Sequence, residues 1–336
     1  MLDLAMSCFG VTPDSNLEVM EHNQTLSSLT ARAVSMLGAY FVGKCFSMVL
    51  VQGDTTTTFC AALAAFYSGI PVGHVEAGLR TGEKLSPYPE EINRLLTTRL
   101  ADVHFAPTDW ARDNLLREAV SADRIFVTGN TVIDALQMAV KRVRSLEPHI
   151  ADLDPAELGS RRVVLITSHR REAFGQGIAS ICGAVAQLAN IFRDVLFVYT
   201  VHLNPNVSGP VHQRLGGLAN VRLLPPLEYL QFVRLLDRCA LVLTDSGGVQ
   251  EEAPSLGKPV LVMRNTTERP EGIKAGVARL VGTNQEAIAS EATKLLTDSN
   301  EYEVMAQATN PYGDGCAAQR IVAVCERVLK QECPFN

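Results

Sequence analysis

Between Leu241 and Met263 the sequence reads LVLTDSGGVQEEAPSLGKPVLVM, and this stretch restricts the fold more than any other. An apolar, β-prone run (Leu241, Val242, Leu243) meets the turn Asp245-Ser246-Gly247-Gly248, a short helical segment follows, and Gly257-Lys258-Pro259 leads into a second apolar run from Val260. Two apolar strands separated by one short helix make a β-α-β unit, which requires a parallel sheet with helices packed on its faces. Ser246 suits the N-cap, and paired glycines let a bulky anion approach the free N–H groups at a helix start, where the macrodipole also favours negative charge. A phosphate or pyrophosphate fits such a turn. Glu252 follows Gly248 by one helical turn, so its carboxylate is placed to accept hydrogen bonds from ribose hydroxyls, which makes the guest a nucleotide. Pro254 inside so short a helix costs about 3 kcal/mol and points to a site or to tight packing. The competing reading is an ordinary capped helix with acidic residues near its start.

The same alternation runs through the whole chain. Apolar runs at Phe46 to Val51, Pro71 to Val75, Val103 to Phe105 and Ile125 to Val127 alternate with helical patterns, and Leu17 to Met20 reads as a further short strand. A proline- and glycine-punctuated segment, Glu147 to Ser160, marks a boundary. Beyond it lie candidate strands at Val163 to Ile166, Leu196 to Thr200, Val221 to Leu224, Leu241 to Leu243, Val260 to Val262 and Ala278 to Val281. A chain of 336 residues is long for one core, so the expected fold is α/β with two doubly wound domains, residues 1–150 and 151–336, and ligands outside the carboxyl ends of the strands.

Composition narrows the partners. A net charge of -6 without a dense Lys/Arg run argues against nucleic acid. The longest apolar stretch, Met36 to Val51, is interrupted by Lys44 and fits a helix end and a buried strand better than a membrane span. The first ten residues lack a basic region, so no signal peptide is expected. Eight scattered cysteines with no CxxC pair read as reduced thiols of a cytoplasmic protein, and no His/Cys spacing suits a metal.

Candidate chemistry sits at the strand ends. Asp54, Glu76 and Glu90 bring carboxylates towards one edge of the first sheet, where neighbouring environments can separate an acid from a base; the bland alternative is a helix cap at Asp54 and a solvated helix face at Glu90 and Glu91. In the second domain Ser168-His169-Arg170-Arg171-Glu172 places an imidazole and two guanidinium groups after a strand, a pattern suited to phosphate or to a surface basic turn. His202, in Val201-His202-Leu203-Asn204-Pro205, also ends a strand, where a lone histidine is commonly structural.

The segments LVQGDTTTT, GHVEAGLRTG, SPYPEEINR, TGNTVIDAL, TSHRREAFG, VHLNPNV, TDSGGVQEEAPSLGKPVLVMRNTTERPE and NPYGDG together resemble the non-hydrolysing UDP-N-acetylglucosamine 2-epimerases. The resemblance implies a GT-B fold, two Rossmann-like domains around a nucleotide-sugar cleft, with the last helix (about residues 316–329) returning to the first domain. It implies interconversion of UDP-N-acetylglucosamine and UDP-N-acetylmannosamine for surface polysaccharides, by elimination and re-addition of UDP, with neither metal nor cofactor. Carried over by motif, Asp54, Glu76 and Glu90 are the acid/base carboxylates and His169 the histidine near the diphosphate. Ser246, Gly247 and Gly248 form the phosphate loop, Glu252 holds the ribose, Arg269 contacts an anion, and Leu227, where the family commonly has Gln, lines the uracil pocket with Phe232. Glu90, Arg170 and His202 match an activator site for a second UDP-N-acetylglucosamine, and a homodimer is expected. The family's opening strand and Gly-Thr-Arg-Pro-Glu type loop have no counterpart before Met1. On that ground the first domain is expected to be incomplete, with an open edge at the Phe46 to Val51 strand, and the chain to bind UDP but turn over poorly. Two other readings remain, a GT-B glycosyltransferase using a UDP-sugar and a non-catalytic UDP-sugar-binding remnant.

Overall fold

Parallel strands cannot be joined by tight hairpins, so each needs a crossover long enough to hold a helix. The computed structural model, which describes residues 2–332, shows this arrangement twice. The chain forms two compact units, one of residues 1–11 and 135–312, the other of residues 12–134 and 313–336. The division falls at Asp134, not near residue 150. Its cause is the helix Thr131–Leu146, whose later residues Leu136, Ala139, Val140 and Val143 are buried in the core of the 135–312 unit. The segment expected to mark the boundary, Glu147 to Ser160, contains a helix of its own, Pro155–Ser160, whose N-cap Asp154 accepts from the Ala156 N–H.

The 12–134 unit carries β1 (Val49–Gln52), β2 (Val72–Val75), β3 (Val103–Ala106) and β4 (Ile125–Val127), all parallel in the order β1-β2-β3-β4. Among the described residues β1 therefore pairs on one side only. The expected strand at Leu17 to Met20 does not form: the Glu18 N–H turns back to Asn16 Oδ1 at 3.2 Å, and Glu18 has a φ of 49°, which breaks an extended run. Phe46 lies before the strand expected to contain it and packs instead on Tyr40 and Phe41. After β1, Thr55 caps the helix Thr56–Tyr67 through its side chain. The helix Ala317–Glu332 belongs to this unit. Its first N–H groups, on Ala317 and Ala318, donate to Asp134 at 3.1 and 2.9 Å, and Ile321 is buried with Val75, Val103 and Phe105.

The other unit carries β5 (Arg162–Ser168), β6 (Val195–Val201), β7 (Val221–Leu224), β8 (Leu241–Thr244), β9 (Val260–Val262) and β10 (Ala278–Leu280), parallel in the order β10-β9-β8-β5-β6-β7. Successive residues of a strand point to opposite faces, and in this sheet both faces are covered. Val164 and Ile166 enter one core with Phe197 and Tyr199, while Val163 and Leu165 enter the other with Leu196 and Val198. That explains the uninterrupted apolar runs in the sequence. β5 and β8 lie side by side at the centre, where the strand order reverses and a doubly wound sheet opens a crevice. The first residues add the helix Leu2–Phe9, too short to be legible as one, with Phe9 against Tyr229 at 6.0 Å between ring centroids. No helix among the described residues is long and apolar enough to cross a membrane. Of the eight cysteines, Cys333 lies outside the described residues, and the other seven are free thiols.

Candidate functional site

In the 12–134 unit the carboxylates gather at the ends of β1 and β2. Gly53, with φ +74°, turns the chain after β1, and a Cβ there would lie 3.6 Å from Glu76 Oε2, so the Glu76 carboxylate rests over the turn that presents Asp54. Glu76 itself has a φ of 65°, a conformation that is costly for a residue with a side chain and persists where surrounding structure imposes it. His74, fully buried in β2, has Nε2 2.8 Å from the Gly53 carbonyl. A carbonyl only accepts, so Nε2 carries the proton, and burial pushes this imidazole's pKa down to about 4.

Asp54 is held by the helix Glu90–Leu100. Arg94 donates from Nε and Nη2 to Asp54 Oδ2 at 3.0 and 2.6 Å, and Asn93 donates to the Asp54 carbonyl at 2.9 Å. Arg94 in turn donates to Glu91 at 2.9 Å, and Glu91 accepts from the Thr81 and Gly82 N–H groups. Glu91 is therefore a buried strut of this network, at 2% exposure, and not part of a solvated face. Glu90 begins the helix, with Oε2 buried and lacking a hydrogen-bond partner.

In the 135–312 unit a pocket of about 590 Å³ opens at the ends of β5, β6 and β7. It is lined by Thr167, His169, His202, Leu227 and Phe232 among others. The structure thus brings together four candidate residues that the sequence separates by up to 63 positions (232 − 169). The His169 and His202 rings stack at 5.9 Å. His202 Nδ1 accepts from the Asn204 N–H at 3.1 Å, which leaves Nε2 protonated in the neutral ring.

The phosphate-loop candidates sit after β8. Gly247 and Gly248 open the helix Gly247–Ser255 with Ser246 at the N-cap, as expected, although the Ser246 side chain makes no capping bond. Its N–H is taken by Thr244 Oγ1 at 2.9 Å. Gly248 is exposed with open space around its Cα, whereas a Cβ on Gly247 would lie 2.7 Å from Arg269 Nη1. Arg269 is embedded among acids: it pairs with Glu251 and donates to Glu268 at 3.0 Å. Glu268 also receives Arg264 at 2.8 Å and lies 3.5 Å from Arg170. Burial opposes ionisation of Glu268, yet Arg269 and Arg264 hold its pKa down to about 2. Glu252, at 7% exposure, is more enclosed than a purely cleft-facing ligand would be, and burial raises its pKa to about 7.

Sequence reasoning misses the roles of four participants. Arg94 lies one turn after Glu90 in a helix whose polar content resembles a surface helix. Glu91 reads as solvated from its neighbours. Tyr229, which donates to Glu252, is separated from it by 23 residues, and only the fold joins them. Asp245 precedes the phosphate loop and reads as part of a turn, although a carboxylate just beyond the apolar run Leu241 to Leu243 of a central strand is itself a signal.

A family model described as UDP-N-acetylglucosamine 2-epimerase matches residues 1–326. The UDP-N-acetylglucosamine 2-epimerase of Escherichia coli (strain K12) is 53% identical over 325 residues, which cover 96% of this chain and 86% of that protein. That of Bacillus subtilis (strain 168) is 51% identical over 322 residues, covering 96% and 83%. The crystal structure of the Neisseria meningitidis UDP-GlcNAc 2-epimerase bound to UDP-GlcNAc superposes with a TM-score of 0.89 at 45% identity, covering 97% of this chain and 88% of that one. The S. aureus MnaA-UDP co-structure gives 0.90 at 41% identity, covering 98% and 87%. Family model, sequence relatives and fold converge, and the chain belongs to the UDP-N-acetylglucosamine 2-epimerase family.

Proposed function

We propose that this protein interconverts UDP-N-acetylglucosamine and UDP-N-acetylmannosamine. The observation that carries the reading is the carboxylate cluster at the ends of β1 and β2, where the left-handed Glu76 rests over the Gly53 turn beside Asp54. The hydrogen on C2 of the sugar is not acidic, so inversion there runs through elimination. A base removes the C2 proton, that electron pair forms the C1–C2 double bond, and the C1–O bond breaks with its electrons leaving on UDP. Re-addition of UDP to the original face of C1, with a proton delivered to C2 from the opposite face, gives the epimer. Asp54, Glu76 and Glu90 serve as the proton-transfer groups, a task that needs carboxylates in unlike environments. The environments do differ: Asp54 Oδ2 takes two bonds from Arg94, while Glu90 Oε2 is buried without a partner.

UDP binding is assigned to the other unit. Leu227 and Phe232 receive the uracil, Glu252 the ribose, and Ser246, Gly247 and Gly248 the diphosphate, with His169 beside it. Arg269 acts on the anion through its support of Gly247 and its charge. Each unit is a domain in this reading, with the 313–336 segment serving the carboxylate-bearing one. Glu90, Arg170 and His202 are read as contacts of a second UDP-N-acetylglucosamine that activates the enzyme, and the protein as a cytoplasmic homodimer supplying polysaccharide precursors.

Incubation with UDP-N-acetylglucosamine alone in deuterated water, followed by chromatography and mass spectrometry, tests the proposal. The expected result is UDP-N-acetylmannosamine carrying deuterium at C2. A glycosyltransferase would give no epimer without an acceptor, and a binding remnant would bind UDP without turnover. Either outcome overturns the reading. A sigmoidal dependence of rate on substrate tests the activator site, and light scattering tests the dimer.

A further inference from the structure

Asp245 directly follows β8, which pairs with β5, and it is completely buried. Its Oδ2 accepts three hydrogen bonds from the end of β5: from Ser168 Oγ at 2.9 Å, from the His169 N–H at 2.8 Å and from the Arg170 N–H at 2.9 Å. The other oxygen, Oδ1, has no complete hydrogen bond and lies 3.2 Å from His169 Nδ1. Burial alone would raise the pKa of such a group, but the bonds from His169 and from the Arg170 backbone hold it below the ordinary carboxylate value, so Asp245 is an anion at neutral pH. A buried anion beside an imidazole nitrogen takes that nitrogen's proton as its remaining donor, because an unpaired buried charge is expensive. The ring's opposite edge, carrying Nε2, belongs to a side chain that is 41% exposed and lines the pocket shared with His202, Leu227 and Phe232.

We propose that Asp245 is a positioning residue of the epimerisation, acting through His169: its carboxylate fixes the Nδ1–H tautomer and the ring plane, leaving Nε2 as the nitrogen that gives or takes a proton at the departing diphosphate. The same carboxylate clamps the His169 and Arg170 backbone, so ring orientation and loop position are set by one group. A carboxylate that holds a histidine's tautomer has this effect in acyl-transfer triads, where it is not itself protonated. In this protein the arrangement serves elimination of a nucleotide. Its catalytic consequence rests on the epimerase reading, but the pairing of Asp245 with His169 does not.

The test is Asp245→Asn, studied with His169→Ala and the double variant. Asparagine keeps one oxygen to accept from Ser168 and the two N–H groups, but offers an amide N–H to Nδ1 and so forces the proton to Nε2. Nitrogen-15 NMR of the neutral His169 ring is expected to show Nδ1–H in the parent and Nε2–H in Asp245→Asn. Turnover is expected to fall about a hundredfold or more, as for loss of a general acid–base group, with UDP affinity within threefold of the parent. Adding Asp245→Asn to His169→Ala should cost nothing further, since the two act as one unit. An Nε2–H tautomer in the parent overturns the proposal, even if the variant does not fold. So does an unchanged tautomer in Asp245→Asn, a turnover within threefold of the parent, or additive losses in the double variant. A parent that pairs Asp245 with His169 as described yet forms no epimer refutes the epimerase reading and, with it, the catalytic role of Asp245.

Discussion

The Tyr229 hydroxyl donates to Glu252 Oε1 at 3.1 Å, so the carboxylate assigned to the ribose is already aimed by a second side chain. With Glu252 nearly enclosed, this bond fixes which oxygen remains for a ligand. Glu252→Ala is expected to weaken UDP binding by about 1.5–3 kcal/mol, the range for hydrogen bonds to a charged group, and Tyr229→Phe by about 1 kcal/mol. Isothermal calorimetry showing parental affinity in Glu252→Ala would remove the ribose assignment.

The two units should respond to pH in opposite directions. Burial raises Glu252 from 4.5 to about 7, so the folded protein holds more proton at this group than the unfolded chain does. This group's stabilisation is complete below its unfolded value and is lost as pH rises through about 7. His74 and His104 are pushed from 6.5 down to about 4, in both cases chiefly by burial. Their stabilisation is present above 6.5 and is lost as pH falls through about 4. Between pH 7 and pH 5 the 12–134 unit should therefore lose hydrogen-exchange protection relative to the unit holding Glu252, after correction for intrinsic rates. Parallel changes in both units would contradict this, and Glu252→Gln should abolish its share of the difference.

Gly247 and Gly248 separate a packing effect from a binding effect. An alanine Cβ at 247 would meet the Arg269 guanidinium, which Glu251 and Glu268 hold in place, so Gly247→Ala should lower stability by about 1–3 kcal/mol. Gly248→Ala meets nothing within 4 Å and should leave the melting temperature within a few degrees. It should nevertheless weaken UDP binding if the backbone there approaches a diphosphate. Undiminished UDP affinity in Gly248→Ala would argue against the phosphate loop.

Asp54→Asn and Glu76→Gln should keep UDP affinity and lose turnover by roughly a hundredfold to ten-thousandfold, the contribution of a positioned acid or base. Both belong to the unit that lacks the proposed UDP contacts. Near-parental epimerisation by either variant would exclude it from proton transfer, and a lost UDP affinity would place it at the nucleotide instead.

The parallel sheets are legible because their central strands are buried on both faces and read as unbroken apolar runs, as in Val163 to Ile166. The motif residues are legible wherever a strand end meets a turn, as at Asp54, Glu76, His169 and Gly247. What the sequence does not reveal is pairing across the fold. Nothing local joins Tyr229 to Glu252 or Asp245 to His169, and Glu91 has the neighbours of a surface residue although it is buried. The strand expected at Leu17 to Met20 fails for the complementary reason. Its apolar residues have the right period, but Asn16 offers the backbone a closer partner than any ladder.

The helix Ala317–Glu332 sets an order of assembly on the ribosome. The strands of the 12–134 unit are synthesised first, yet Val75, Val103 and Phe105 wait for Ile321 to cover them. By the time Ile321 emerges, every strand of the other unit, through Leu280, has already been made. The unit begun early is thus finished late, and a nascent chain spends the synthesis of nearly two hundred residues (321 − 127) with that apolar face uncovered. A ribosome-bound chain stalled before Ile321 has cleared the exit tunnel should expose the 12–134 unit to proteolysis while β5 to β10 resist it.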